Sequence, residues 1–251
     1  RIHFQPLEAG LDRFSTKPKL YEKWGLMPIF RRISELINFK IIIRYFILVA
    51  GLFLMGLGVD LITKSNLVTS PISSVPYVLS MIFPFTFGET TFLISFLFIL
   101  FEIMILKKDF PKEHFLQVLV CPIFGFFIDF GMNIFAFVNY KFYSEQIILL
   151  LLGCILLALG VRLEFLANVI IYPADSLVKT IANKTKKEFG NIKIMFDCTL
   201  VLTAVVISLL AFKNINGLGE GTIISALLVG YITKIISTVF KYFNIGKLFA
   251  N

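Results

Sequence analysis

The sequence predicts an all-α integral membrane protein. It has six transmembrane helices in two inverted three-helix repeats, each repeat with an extra half-helix or interfacial helix after its first span. Three observations lead there. The 251 residues are 57% hydrophobic and 16% charged, with a mean hydropathy of +0.86; a soluble domain carries about 25% charged and about 45–50% apolar residues. The chain also matches itself when shifted by 102 residues, and its cations collect in alternate loops. An internal duplication in an apolar chain is a recurring mark of membrane transporters.

The duplication is dense. At the one offset Gly51 falls on Gly153, Leu57-Gly58-Val59 on Leu159-Gly160-Val161, Asn66 on Asn168, Pro71 on Pro173, Ser74 on Ser176 and Phe87-Gly88 on Phe189-Gly190. Three residues more bring Gly125 onto Gly230. The chain therefore divides into an N-terminal cytoplasmic or interfacial segment (1–40), a first membrane repeat (41–142) and a second (143–251).

Segment 1–40 is of mixed charge and is punctuated by Pro6, Pro18 and Pro28. From Trp24 on, Phe30, Ile33, Leu36 and Ile37 recur at helical spacing beside Arg31, Arg32 and Lys40. That pattern suits a helix in the headgroup plane, or equally a solvated leader. Six apolar runs follow, near 42–63, 89–107, 114–138, 146–166, 192–212 and 221–242; each approaches the roughly 20 residues that cross a bilayer.

The net charge of +8 comes from short cationic clusters between these runs, which face lipid headgroups and set topology rather than bind nucleic acid. With the amino terminus inside, Lys107, Lys108 and Lys112, the stretch with Lys179, Lys184, Lys186, Lys187 and Lys193, and the tail with Lys241 and Lys247 are all cytoplasmic. Lys64, Lys141 and Lys213 stay outside. Both termini are then cytoplasmic. Three crossings per repeat is odd, so the second copy inserts upside down.

The extra segments differ. Residues 71–87 are uncharged and read as a half-helix dipping into the outer leaflet. Residues 173–189 alternate Leu177, Val178 and Ile181 with lysines and read as an interfacial helix, with the stretch 179–193 meeting anionic lipid or docking a membrane partner.

Both segments open on proline, at Pro71-Ile72-Ser73-Ser74 and Pro173-Ala174-Asp175-Ser176. Proline suits the first helical position, and the free N–H groups there suit an anionic solute; the serines could equally cap their own turns. Ionisable residues at membrane depth are the other clue: Asp60, Glu102, Asp129, Arg162, Glu164, Asp197 and Lys234. The repeat aligns Asp60 with Arg162 and Asp129 with Lys234, two pairs of opposite charge that could neutralise each other across the repeat interface. Asp60 and Arg162 could instead snorkel to the headgroups.

Gly51, Gly56 and Gly58 on the first span, and Gly221, Ser225 and Gly230 on the last, are stripes that let helices approach. The run Gly217-Leu218-Gly219-Glu220-Gly221 follows no strand and is no nucleotide loop. Cys121, Cys154 and Cys198 have no paired spacing, and His3 and His114 have no second ligand at helical spacing, so neither metal nor cofactor is expected. Enzyme signatures are missing too.

Two stretches, Gly56-Leu57-Gly58-Val59 and Thr69-Ser70-Pro71-Ile72-Ser73-Ser74-Val75-Pro76-Tyr77, resemble the YczE/YyaS/YitT family of bacterial integral membrane proteins. Phe87-Gly88-Glu89-Thr90-Thr91-Phe92 and the run from Gly219 to Gly230 extend the resemblance over roughly 42–245. It implies a bacterial cytoplasmic membrane and carries no catalytic residue across. The expectation is a small-solute transporter or permease-like protein with its site between the repeats, built around Pro71, Ser73, Ser74, Asp129, Pro173, Asp175, Ser176 and Lys234. The alternatives are a membrane-embedded binding subunit of a multi-component uptake system and a non-transporting scaffold.

Overall fold

Apolar residues run almost without break through each predicted span, so the backbone must satisfy its own polar groups, and helix is the geometry that does so. A computed structural model of the chain describes residues 27–67, 69–138, 140–214 and 221–242. No strand occurs among them. The helices are α1 (Met27–Lys64), α2 (Pro71–Ile82), α3 (Phe87–Leu106), α4 (Gln117–Ile134), α5 (Tyr143–Ala167), α6 (Pro173–Thr185), α7 (Phe189–Phe212) and α8 (Gly221–Tyr242). Short 3₁₀ turns join α3 to α4 and follow α4.

The chain forms two compact units, Arg1–Ile43 and Arg44–Asn251. In the first, the described residues are helical; the predicted interfacial face of Phe30, Ile33, Leu36 and Ile37 falls on side chains outside the described set. The Gly217–Glu220 run and Lys247 also lie outside it. Among the described residues, the buried charged side chains all belong to the second unit.

Among the described residues five helices are long and apolar enough to cross a membrane: Phe39–Lys64, Phe87–Asp109, His114–Phe137, Tyr143–Ala167 and Gly190–Phe212. The sixth expected span is helical over Gly221–Tyr242, and among its described residues the apolar stretch is Leu228–Phe240. Large side chains such as Phe46, Met104, Leu119, Phe126, Leu202 and Leu210 stand exposed on the outward helix faces. Water would tolerate no such surface on a soluble monomer.

One apolar core runs through the second unit, from Leu48 and Leu52 of α1 through Phe124 and Ile128 of α4 to Leu200 and Ala204 of α7. Within it α1 and α5 approach closely. A Cβ on Gly58 would stand 2.5 Å from Leu157 N and 2.8 Å from Gly153 O, and one on Gly51 would stand 3.0 Å from Gly160 O. Gly51 thus meets Gly160 while Gly58 meets Gly153, so the two helices run antiparallel. In the first half, α3 and α4 close at Gly88 and Gly125, each against the other's backbone oxygen. Gly190 and Gly230, in the second half, have nothing within 4 Å.

The two short helices have 12 and 13 residues. At 1.5 Å per residue each covers about 18–20 Å, short of the roughly 30 Å hydrocarbon layer. Each follows an asparagine in the left-handed region, Asn66 at φ 56° and Asn168 at φ 48°, where a short polar side chain is tolerated. Each packs against a long helix of the other half, α2 on α7 and α6 on α3.

The interfacial reading of 173–189 needs correction. Pro173, Ala174, Asp175, Ser176, Leu177, Val178, Thr180 and Ala182 are buried inside the protein. The polar residues of its first turns face partners on α3 and α7, because a carboxylate and hydroxyls find better company there than in lipid.

Candidate functional site

Glu102 lies fully buried on α3, four residues from its C-terminal end. An isolated carboxylate at such depth is costly unless donors surround it. Three do. Ser176 Oγ donates to Glu102 Oε1 at 2.8 Å, Thr180 Oγ1 donates at 2.9 Å, and His114 Nδ1 stands at 2.9 Å. Ser176 and Thr180 are four apart on α6, hence on one face. Lys184, one further turn along, donates to the carbonyl of Ile105 at 2.6 Å. One face of α6 is thereby fastened along the end of α3.

The opposite side of α6 meets α7 through charge. Lys193 Nζ is 2.8 Å from Asp175 Oδ1 and 3.4 Å from Asp197 Oδ1, the second an ion pair without hydrogen-bond geometry. Beside them, fully buried Glu164 of α5 accepts the backbone N–H of Tyr172. Tyr172 is itself buried, with its hydroxyl 2.6 Å from Ser95 Oγ and its ring against Phe124 at 4.7 Å. Burial holds its phenol well above the usual range.

Four acids therefore gather round α6: buried Glu102, Glu164 and Asp175, and half-buried Asp197. One lysine and one histidine accompany them. Glu102 Oε2, Glu164 Oε2 and Asp197 Oδ1 have no hydrogen-bond partner. No group of three or more metal-ligating side chains forms among the described residues.

The equivalent positions around α2 carry no such charge among the described residues. At the offset of 102, Asp175 corresponds to Ser73, Thr180 to Val78, Lys193 to Thr91, Asp197 to Ser95 and Glu102 to Ala204. Where the α6 side is ionic, the α2 side is hydroxylic or apolar.

The residues expected at the site divide accordingly. Ser73 and Ser74 serve their own turn: Ser73 Oγ takes the hydroxyl of Ser70 at 3.1 Å, and Ser74 Oγ donates to Pro71 O at 2.7 Å. Pro71 and Pro173 both sit in the first helical turn. Asp175 and Ser176 join the ionic cluster. The first turn of α6 already faces the protein's own carboxylates, Asp175 and Glu164, which removes the case for an anionic solute there.

Neither expected charge pair forms. Asp129 Oδ2 accepts from Thr86 Oγ1 at 2.6 Å and its Oδ1 from Gly88 N at 2.8 Å, so it caps the start of α3, while Lys234 stands exposed. An anion at a helix N-terminus is well placed electrostatically. The Arg162 guanidinium lies 5.8 Å from the Phe240 ring centre, and neither oxygen of Asp60 has a hydrogen-bond partner.

At the opposite end from Glu102, α1, α2 and α4 bound an open cleft of about 440 Å³. Thr63, Lys64, Asn66, Tyr77, Met132, Val138 and Tyr140 line it. Sequence reasoning missed this cleft, and it left His114, Thr180 and Lys193 out of the site. Glu102 stood out as a lone acid in an apolar run, but its partners lie 74 and 78 residues away.

Five long apolar helices, apolar outward faces and a charged interior define a multi-pass α-helical membrane protein. The chain belongs to DUF6198, a family of unknown function, whose match covers residues 42–238. It is similar to the uncharacterized protein YyaS of Bacillus subtilis (strain 168), at 23% identity over 202 residues, 78% of this chain and 94% of that protein. No solved structure matches it.

Proposed function

We propose that the protein is a small-solute transporter of permease type, with six spans in two inverted repeats and both termini on the cytoplasmic side of a bacterial membrane. The reciprocal contacts support the inversion. Gly51 meets Gly160 and Gly58 meets Gly153, and the offset of 102 exchanges these pairs. Equivalent helices packed antiparallel are what a two-fold axis in the membrane plane produces. The exchange of α2 onto α7 and α6 onto α3 obeys the same operation.

The observation that carries transport is the contrast between the two ends. At one end Glu102 of the first half is held by Ser176 and Thr180 of the second. At the other, the cleft beneath Tyr140 and Lys64 stands open. A carrier open to one side and latched on the other has this form. The solute is small and polar, matched to a cleft with lysine, asparagine, threonine and two tyrosines.

Thiol accessibility tests the reading without knowing the solute. In a cysteine-free background in oriented vesicles, Tyr140→Cys reacts with an impermeant maleimide from the periplasmic side, and Thr180→Cys is protected from both. Adding Glu102→Gln exposes position 180 to the cytoplasmic side and slows labelling at 140. Labelling at both positions that ignores the Glu102 variant rules out alternating access.

The binding-subunit reading draws on the open space beside Gly190 and beside Gly230, each a place where another helix could pack. The exposed Lys179, Lys186 and Lys187 suit a membrane partner or acidic lipid.

A further inference from the structure

The most exceptional polar group is Asp60. It is 0% exposed, lies in a membrane-spanning helix, and neither carboxyl oxygen has a hydrogen-bond partner. Its place is defined by packing: a Cβ on Gly131 of α4 would overlap Asp60 Oδ2, so only glycine leaves room for the carboxyl. Thr63 and Lys64, one turn further along α1, line the open cleft, and so does Met132, next to Gly131. Asp60 therefore sits between α1 and α4, two of the helices that bound the cleft, one turn beneath its lining.

A carboxylate in this position is out of reach of bulk solvent and has no protein donor or bonded counter-ion, and such burial is tolerated only with a neutralising partner. A metal ion would need several oxygen ligands around it, and no cluster of three or more metal-ligating side chains forms among the described residues. A proton needs one oxygen. The charged groups that act on Asp60 are Asp129 on α4 and Lys64 on its own helix. Asp129 is already committed to Thr86 and Gly88. Tyr77 on α2 and Tyr140 line the cleft above, and the α5 residues against this part of α1, Gly153 and Leu157, are uncharged.

We infer that Asp60 is a proton-binding carboxyl one turn beneath the cleft, loaded from the side on which the cleft opens. Under the transporter reading, on which only this last step rests, the proton is the coupling ion: protonation neutralises the site before the cleft closes.

Infrared difference spectroscopy between acid and alkaline pH, on the full chain in lipid nanodiscs, tests the binding step by itself. The wild type shows a protonated-carboxyl carbonyl band that Asp60→Asn loses. Asp60→Glu keeps the band at a shifted frequency, which holds the test open if the asparagine variant folds poorly. Glu102→Gln and Asp129→Asn retain it. A band unchanged in Asp60→Asn, or one abolished by sodium but not by choline at constant pH, overturns the proposal. Liposomes loaded with a pH-sensitive dye then report proton entry under an imposed gradient, expected to fall about tenfold in Asp60→Asn, equivalent to about 1.4 kcal/mol in the barrier. A band that maps to Asp60 with no gradient-driven flux in the wild type supports the proton site and rejects proton passage through it in the absence of solute.

Discussion

Ser176 in the second half donates its hydroxyl to Glu102 in the first at 2.8 Å, across 74 residues of chain. The bond joins two helices that hydropathy treats as unrelated, one a long span and the other a short polar helix. It makes the end of the molecule that bears His114 and Lys184 a fastened one.

Removing the acceptor should loosen that end. Hydrogen bonds to a charged group contribute about 1.5–3 kcal/mol each in soluble proteins, but interhelical ones in membranes average about 0.6. Glu102→Ala is expected to cost roughly 2–4 kcal/mol and Glu102→Gln about half as much, read from thermal unfolding in detergent. Unfolding of Glu102→Ala at the wild-type temperature would show that the contact holds nothing.

Lys193 neutralises two acids, so its loss is the graver change. Lys193→Ala leaves Asp175 and Asp197 without their cation, an arrangement that costs about 3–5 kcal/mol when a buried pair is broken. Lys193→Ala with Asp175→Asn should recover part of this. If the double variant is no more stable than the single one, the ion pair is not the source of the loss.

Glycine substitutions separate the halves. Gly58→Ala places a methyl 2.5 Å from Leu157 N, backbone that cannot swing aside, and overpacking of this kind costs about 1–3 kcal/mol. Gly190→Ala meets nothing within 4 Å and removes a helical glycine, worth about 0.5–1 kcal/mol in favour of the folded state. Opposite shifts in melting temperature are expected; a destabilised Gly190→Ala would mean that space is filled.

Tyr172 supplies a pH dependence. Its buried phenol resists ionisation in the folded chain, while the unfolded chain ionises it near its ordinary value of about 10. Stability from this group is therefore complete below pH about 10 and is lost as pH climbs above it. Tyr172→Phe should flatten the decline in melting temperature over that window. Parallel curves for the two proteins would assign the decline to other groups.

How far the chain could be read in advance depended on the kind of signal. The first five spans and the helices beginning at Pro71 and Pro173 were legible, because sustained apolarity and a proline break are properties of contiguous residues. Glu102 was visible as an anomaly, yet nothing local pointed to Ser176 or Thr180. The pairs Asp60–Arg162 and Asp129–Lys234 were inferred from equivalence in the repeat. Equivalence places two residues at matching points of two copies, and only those close to the axis can touch. Asp129 found Thr86 and Gly88 instead, within its own half.

The lysines of α6 misled for a related reason. A pattern of lysine against leucine reads as a helix with one wet face, but Asp175, Ser176 and Thr180 share that helix and outweigh it. Their partners, Lys193 and Glu102, exist only once α3 and α7 are packed on either side.

By itself the sequence determined which segments are apolar enough to cross, where they break and that the chain repeats, since each of these is a sum or a comparison along the chain. Tertiary structure alone decided which charges meet, that α6 is ionic where α2 is not, and that Asp60 is left bare beneath a cleft. Those outcomes depend on distances of a few ångströms between residues far apart in sequence, and in a low-dielectric interior such distances govern the energy of every charge.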